Sequence, residues 1–222
     1  MSYFVTGTDT NVGKTLISCA LLHGFAGQGL RVVGMKPVAA GCDDHDMNED
    51  VRSLLTASNV VATRGQVNPY CFAPAVAPHL AAHFVGVRIN LDRIVQSCSE
   101  LAAQADVVIV EGAGGFRVPL NEIEDGADLA MQLNLPVILV VGMRLGCLNH
   151  ALLTSDAIAR CGLKLAGWVA NCLDERMPML SENIDALQLR LDTPLLGVVP
   201  HYVTPPDAAK VAELLDMSVL EF

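Results

Sequence analysis

Two glycines, a lysine and a hydroxyl fall within one short stretch, Gly7-Thr8-Asp9-Thr10-Asn11-Val12-Gly13-Lys14-Thr15. Backbone N–H groups of such a loop point into a common concavity, and a helix opening directly behind it adds the positive end of its dipole. This is a seat for a polyphosphate. Lys14 is the mobile cation that reaches its β- and γ-phosphates, and the Thr15 hydroxyl is a ligand for Mg2+. The loop carries one residue more than the common G-x-x-x-x-G-K-[ST] spacing, placed before the second glycine.

Three other stretches offer groups of matching chemistry. Val107-Val108-Ile109-Val110-Glu111-Gly112-Ala113-Gly114-Gly115 is a buried apolar strand that ends in a carboxylate and then glycines, the pattern of a Walker B element with Glu where Asp is commoner. Glu111 can serve Mg2+, and the glycines let backbone approach a phosphate without obstruction. Lys36 stands at the end of a second strand, before Pro37 and a turn of small residues, and is a candidate second cation. Asp50 opens an amphipathic segment with Val51, Leu54 and Leu55 and is a further candidate metal ligand. Asn171, in Asn171-Cys172-Leu173-Asp174, ends a later strand where an amide can read a nucleobase edge or cap a turn.

Other suggestive residues carry blander readings. His79 and His83 have the i, i+4 spacing of a metal pair, but no acidic third ligand follows, so they read as helix-face histidines. Asp43 to Asp50 holds five carboxylates in eight residues and reads mostly as a solvated loop. The seven cysteines form no C-x-x-C pair and read as reduced, mostly buried thiols, with a nucleophile at Cys42 or Cys147 as the lesser alternative.

The elements that must position these groups alternate. Apolar β-prone runs at Tyr3–Thr6, Leu30–Lys36, Val107–Val110, Val137–Val141, Leu165–Ala170 and Leu195–Pro200 are separated by helical patterns, including 16–22, 90–105 and the segment ending at Arg160. The spacing predicts an α/β fold, a doubly wound, mostly parallel sheet with helices on both faces. Ligands of such sheets bind beyond the carboxyl ends of the strands, which is where the loop, Lys36, Glu111 and Asn171 all fall. The proline-rich, apolar stretch 68–79 reads as an irregular packed loop that shapes a pocket.

Composition narrows the partners. Lysine and arginine total 14 against 24 aspartates and glutamates, a net charge of −10, with no basic run, which argues against nucleic acid and anionic membranes. Residues are 52% hydrophobic, but the apolar runs are too short and too often bounded by Gly or Pro to span a bilayer. The first strand begins within three residues of the start, leaving no room for a leader, so the expected compartment is the cytoplasm. At 222 residues one domain is expected.

With Met35-Lys36-Pro37-Val38, Leu145-Gly146-Cys147-Leu148-Asn149-His150 and Gly167-Trp168-Val169-Ala170-Asn171 added to the loop and the Glu111 strand, nearly the whole chain resembles the dethiobiotin synthetase family. That resemblance implies a P-loop NTPase-type domain and an ATP- and Mg2+-dependent cyclo-ligase of biotin biosynthesis, working as a homodimer. In the family, 7,8-diaminononanoate takes up CO2 as a carbamate. The carbamate attacks the γ-phosphate of ATP, and the second amine closes on the resulting anhydride. By resemblance, Thr10, Asn11, Val12, Gly13, Lys14, Thr15 and Leu16 hold the nucleotide's phosphates with Gly112, Ala113 and Gly114. Lys36 and Lys14 are the catalytic cations, and Thr15, Asp50 and Glu111 hold the metal. Asn171 and Cys172 lie at the adenine, and Pro200, His201, Tyr202 and Asp207 where the nucleotide pocket closes. The substrate lies along Lys36, Ala40 and Gly114, while Leu145, Gly146 and Asn149 reach the diamine's carboxylate from the neighbouring subunit. Two positions depart from the pattern: Ala40 replaces an expected serine, and Asn11 stands where the loop often carries Glu.

Other activities require residues that are missing. A partitioning-type ATPase switch, the main alternative, carries a signature lysine early in the loop, where Asp9 stands. A GTPase wants Asn-Lys-x-Asp, and Cys172 removes the lysine.

Overall fold

The computed structural model describes residues 2–43 and 47–220. Asp44, His45 and Asp46 of the acidic run lie outside the described residues. In chain order the elements are β1 (Ser2–Gly7), α1 (Lys14–Gly27), β2 (Val32–Met35), β3 (Val38–Ala40), α2 (Glu49–Ala57), α3 (Arg64–Val67), β4 (Tyr70–Phe72), α4 (Pro78–Phe84), α5 (Leu91–Ala102), β5 (Val107–Glu111), α6 (Gly126–Leu133), β6 (Val137–Met143), α7 (Cys147–Arg160), β7 (Leu165–Cys172), α8 (Leu180–Gln188), β8 (Leu195–Val199) and α9 (Ala208–Ala212).

Six strands form one parallel sheet in the order β2-β5-β1-β6-β7-β8. The expected doubly wound architecture is present. Alternate residues of each strand point to opposite faces. On one face Phe4, Val108 and Val110 pack with Ile94 and Leu101 of α5 and Leu129 of α6. On the other, Tyr3, Val5 and Ile109 pack with Ile17, Leu21 and Phe25 of α1 and Val211 of α9. Both faces are therefore covered, and that is why these strands are continuously apolar rather than alternating. Trp168 of β7 is fully buried and anchors a third cluster with Leu187 of α8 and Ala151 of α7.

Parallel pairing puts every strand's carboxyl end on one edge. Val5 is paired with Glu111, Gly7 with Val140, and Gly142 with Asn171. Sequence-distant groups are thus brought side by side by register alone. α1 begins at this edge with no side-chain cap: Gly13 occupies the cap position in the left-handed region at φ 92. Its first N–H groups are left for a ligand. The helix is held by fully buried Ile17, Leu21, Leu22 and Phe25, each contributing about 1.5–3 kcal/mol.

Two expectations are corrected here. The stretch 68–79 is not wholly irregular: β4 pairs in parallel with β3 to form a second, two-stranded sheet, and α4 begins at Pro78. A three-residue strand bounded by prolines is too short for its alternation to register in the sequence. Nor are all the cysteines reduced. Ala39 lies opposite Cys71 in this small sheet, and Cys42, just past the end of β3, is joined to Cys71 by a disulfide with Cα atoms 6.2 Å apart. Cys19, Cys98, Cys147, Cys161 and Cys172 are free thiols, and burial pushes the Cys19 thiol up to about 12. The cysteine spacing gave no pairing signal because the pair is made by tertiary strand register.

Candidate functional site

A cavity of about 910 Å3 opens at the carboxyl edge of the sheet. Its floor is built by Lys36 just past β2, the end of β5 and the loop after β1, and its wall by β3 and the segment from Ala75 to Pro78. The stretch 68–79 does shape a pocket, as its apolar character predicts. Among the expected site residues, Thr10, Asn11, Gly13, Lys14, Thr15, Lys36, Ala40, Asp50, Glu111, Ala113 and Gly114 all line this one space.

Its electrostatic centre is a lysine between carboxylates. The Lys36 ammonium lies 2.5 Å from Oε1 of Glu111 and 2.9 Å from Oδ2 of Asp50. The Thr15 hydroxyl donates to the same Glu111 oxygen at 2.8 Å. Glu111 is completely buried, and its other oxygen, Oε2, has no hydrogen-bond partner among the described residues. Burial works against the charge on Lys36, but the attraction of Glu111 and Asp50 exceeds it and holds the ammonium above its ordinary pKa. Burial also disfavours the Asp50 carboxylate, yet Lys36 and hydrogen bonds keep its pKa low. Lys14 differs: burial, with Lys36 beside it, brings it down to about 8. Its ammonium donates to the Asp9 carbonyl at 2.9 Å. Two cations, two carboxylates and a hydroxyl thus gather at the start of α1, whose N-terminus has no side-chain cap.

The chain folds this way locally for identifiable reasons. Asn48 caps α2 by accepting from the Asp50 amide at 3.0 Å, which fixes Asp50 in the first helical turn. The same side chain donates to the Ala40 carbonyl at 3.1 Å. Asn68 donates to the carbonyls of Lys36 and Tyr70, at 2.6 and 2.9 Å, and holds the backbone that carries Lys36. Sequence reasoning missed both asparagines, although an Asn directly before Glu49-Asp50 is a helix N-cap signal. It also missed Arg144, whose guanidinium pairs with the Asp9 carboxylate at 2.5 Å. The loop's own hydrogen bond to the Asp9 carboxylate from the Thr10 amide, followed by Arg144, lowers its pKa.

Other expected residues stand apart from the cavity. Val12 is buried beneath the loop and Leu16 is half-buried in the first turn of α1. Gly112 sits behind Glu111 beside a much smaller void. Asn171 and Cys172 are buried at the end of β7, with the Asn171 amide donating to the Val12 carbonyl at 2.8 Å. Pro200, His201, Tyr202 and Asp207 form an exposed stretch after β8, where the Asp207 carboxylate caps α9. Leu145, Gly146 and Asn149 lie in the open at the start of α7, with Leu145 99% exposed. His79 and His83 lie on α4 as helix residues. No group of three or more metal-ligating His, Cys, Asp or Glu side chains occurs among the described residues. Nor, among them, is any helix long and apolar enough to cross a membrane.

Comparison with known proteins adds the family context. A family model described as an AAA domain matches residues 1–204. An ATP-dependent dethiobiotin synthetase BioD of Nitrosospira multiformis is 55% identical over 216 residues, covering 97% of this chain and 95% of the relative. One of Aromatoleum aromaticum is 54% identical over 217 residues, covering 96% of each. Among solved structures, a ParA family ATPase from Chlorobium tepidum superposes with a TM-score of 0.57 at 14% identity, covering 100% of this chain and 99% of that one. The MinD cell division protein of Aquifex aeolicus gives 0.56 at 14% identity, covering 96% and 87%. At such identities the structural likeness shows the fold alone.

Proposed function

The chain belongs to the ATP-dependent dethiobiotin synthetases, and from that premise we propose that the cavity under the Gly7–Thr15 loop is where 7,8-diaminononanoate, CO2 and ATP are joined into dethiobiotin, ADP and phosphate. The observation that carries this reading is the convergence of Lys14, Lys36, Asp50, Glu111 and Thr15 on one cavity at the mouth of an uncapped helix.

The reaction asks for positioning and charge neutralisation more than for covalent chemistry. One amine of the diamine binds CO2 and loses a proton to become a carbamate. A carbamate oxygen then forms a bond to the γ-phosphorus as the bond to the β-phosphate oxygen breaks, releasing ADP. The second amine attacks the carbamoyl carbon, phosphate departs, and the nitrogen's proton is lost as the ring closes.

Lys36, buried and held charged by its two carboxylates, is placed to draw the anionic carbamate and the γ-phosphate together. Lys14 supports the β- and γ-phosphates from the loop. Hydrogen-bond donors and cations fixed before the reaction stabilise its developing charge without reorganisation. Thr15, Asp50 and Glu111 offer hard oxygen ligands suited to Mg2+, and the unpartnered Oε2 of Glu111 is a donor atom of the right kind. When bound there, Mg2+ would offset the charge of the polyphosphate.

The apolar wall at Val38, Ala39, Ala75 and Val76 suits a hydrocarbon chain. In this reading Asn171 also meets the adenine, and the stretch from Pro200 to Asp207 closes over the nucleotide. The exposed Leu145–Asn149 segment serves the cavity of a second subunit in a cytoplasmic homodimer, since none of its residues lines the cavity of its own chain.

The decisive experiment is mass-spectrometric product analysis with Mg-ATP, bicarbonate and 7,8-diaminononanoate, omitting each in turn. A cyclic urea formed only in the full mixture, with phosphate release tied to it, is expected. ATP hydrolysis indifferent to the diamine would overturn the reading.

A further inference from the structure

The phosphate loop is held by one of its own residues. Val12 is 1% exposed, although it lies in a loop that lines an open cavity. Its two methyl groups fill places where β1 and β6 lack side chains. A Cβ on Gly7 would lie 2.5 Å from Cγ2 of Val12, and one on Gly142 would lie 2.8 Å from Cγ1 of Val12 and 2.6 Å from Cδ1 of Leu173. Real Cβ atoms do not approach so closely, so both glycines are needed for Val12 to seat. Its carbonyl is fixed as well, by the 2.8 Å hydrogen bond from Nδ2 of Asn171. That nitrogen would be 2.2 Å from a Cβ on Gly13, so the loop closes over Asn171 only because residue 13 is glycine.

We propose that Asn171 is a positioning residue for the phosphate loop: with Gly7 and Gly142 it forms a socket that pins Val12 and so presets the loop's amides for phosphate. The assignment rests on the phosphate-site reading and adds to it a role distinct from any contact of Asn171 with the base. Asn11 and Gly13 flank the pinned residue in the left-handed region, at φ 58 and φ 92. Glycine takes this region freely, but a non-glycine such as Asn11 is sustained there when the surroundings hold the chain beside it. Asn171 comes from β7, two strands from β1 in the sheet order, so the clamp forms only once β6 and β7 have paired. The amide's orientation follows from its partner: a carbonyl accepts, so the nitrogen must face it.

The test separates loop from base by using inorganic tripolyphosphate, which has no base or ribose, alongside ATP, both with Mg2+. Their binding to the intact protein is measured by calorimetry for the wild type, Asn171→Asp and Gly142→Ala. Asn171→Asp sets a carboxylate oxygen against the Val12 carbonyl. It is expected to weaken tripolyphosphate about tenfold or more, for a buried hydrogen bond turned repulsive, and ATP by at least as much, since ATP also loses the contact with its base. Gly142→Ala is expected to weaken both ligands in the same way. Tripolyphosphate bound normally by folded Asn171→Asp, with ATP alone weakened, would leave Asn171 a base contact only and overturn the proposal. Should Asn171→Asp lose its cooperative melting transition, Asn171→Ser is read by the same assay. Wild-type protein that took neither ligand would overturn the phosphate-site reading itself, and the clamp with it.

Discussion

Lys36 illustrates how a single buried charge can be both structural and chemical. Its ammonium is nearly sealed from water, and Glu111 beneath it is fully sealed. Exposed pairs such as Arg52 with Asp43 or Arg88 with Glu122 are screened by water and contribute little. Breaking a buried pair costs more, about 3–5 kcal/mol, because the remaining charge is stranded. Lys36→Gln keeps length and polarity but removes the cation. Cyclic urea formation should fall by about 10²–10³-fold, the scale for losing one preorganised charge-stabilising donor. The melting temperature should fall too, because Glu111 loses its counter-ion. Steady-state product assays and calorimetry read the two effects separately. Activity within a factor of ten of wild type would remove Lys36 from the chemistry.

At the scale of elements, glycines mark where helix and sheet touch. A Cβ on Gly34 of β2 would lie 2.9 Å from Cβ and Cδ2 of Leu54 and 3.0 Å from Cδ1 of Leu22. Gly34→Ala should therefore overpack the contact of β2 with α1 and α2 and cost about 1–3 kcal/mol in urea denaturation. Gly27, the last residue of α1, has nothing within 4 Å of such a carbon. Gly27→Ala should be neutral or stabilising by up to about 1 kcal/mol. Equal losses at both positions would mean that helix-to-sheet packing does not govern the difference. The small β3–β4 sheet is tied by Cys42–Cys71, 29 positions apart. Cross-linking a loop of that size constrains the unfolded chain by about 3–4 kcal/mol. The Cys42→Ser, Cys71→Ser double variant should lose about that much, and unlike the wild type it should not respond further to reductant.

For the whole molecule, the exposed Leu145–Asn149 segment makes a statement about subunits. If Asn149 serves the neighbour's cavity, a Lys36→Gln chain and an Asn149→Ala chain complement each other. Co-refolded in equal amounts, half of the dimers are hybrids with one intact site each, restoring roughly a quarter of wild-type activity. Mixtures no more active than their parents would place Asn149 outside a shared site. Much of this arrangement was legible in the sequence. The loop from Gly7 to Thr15, the strand ending at Glu111 and the alternation of apolar runs with helical patterns depend on local periodicity and backbone geometry, which neighbouring residues specify. They determined the fold class and singled out Lys14, Lys36, Asp50 and Glu111, the charged groups that line one cavity. The sequence could not show that Lys36 bridges Asp50 and Glu111, that Asn171 grips Val12, or that Cys42 meets Cys71. Those contacts join residues 14, 75, 159 and 29 positions apart. They are decided by strand order and register, because a parallel sheet brings the ends of distant strands to one edge only after the chain has closed upon itself.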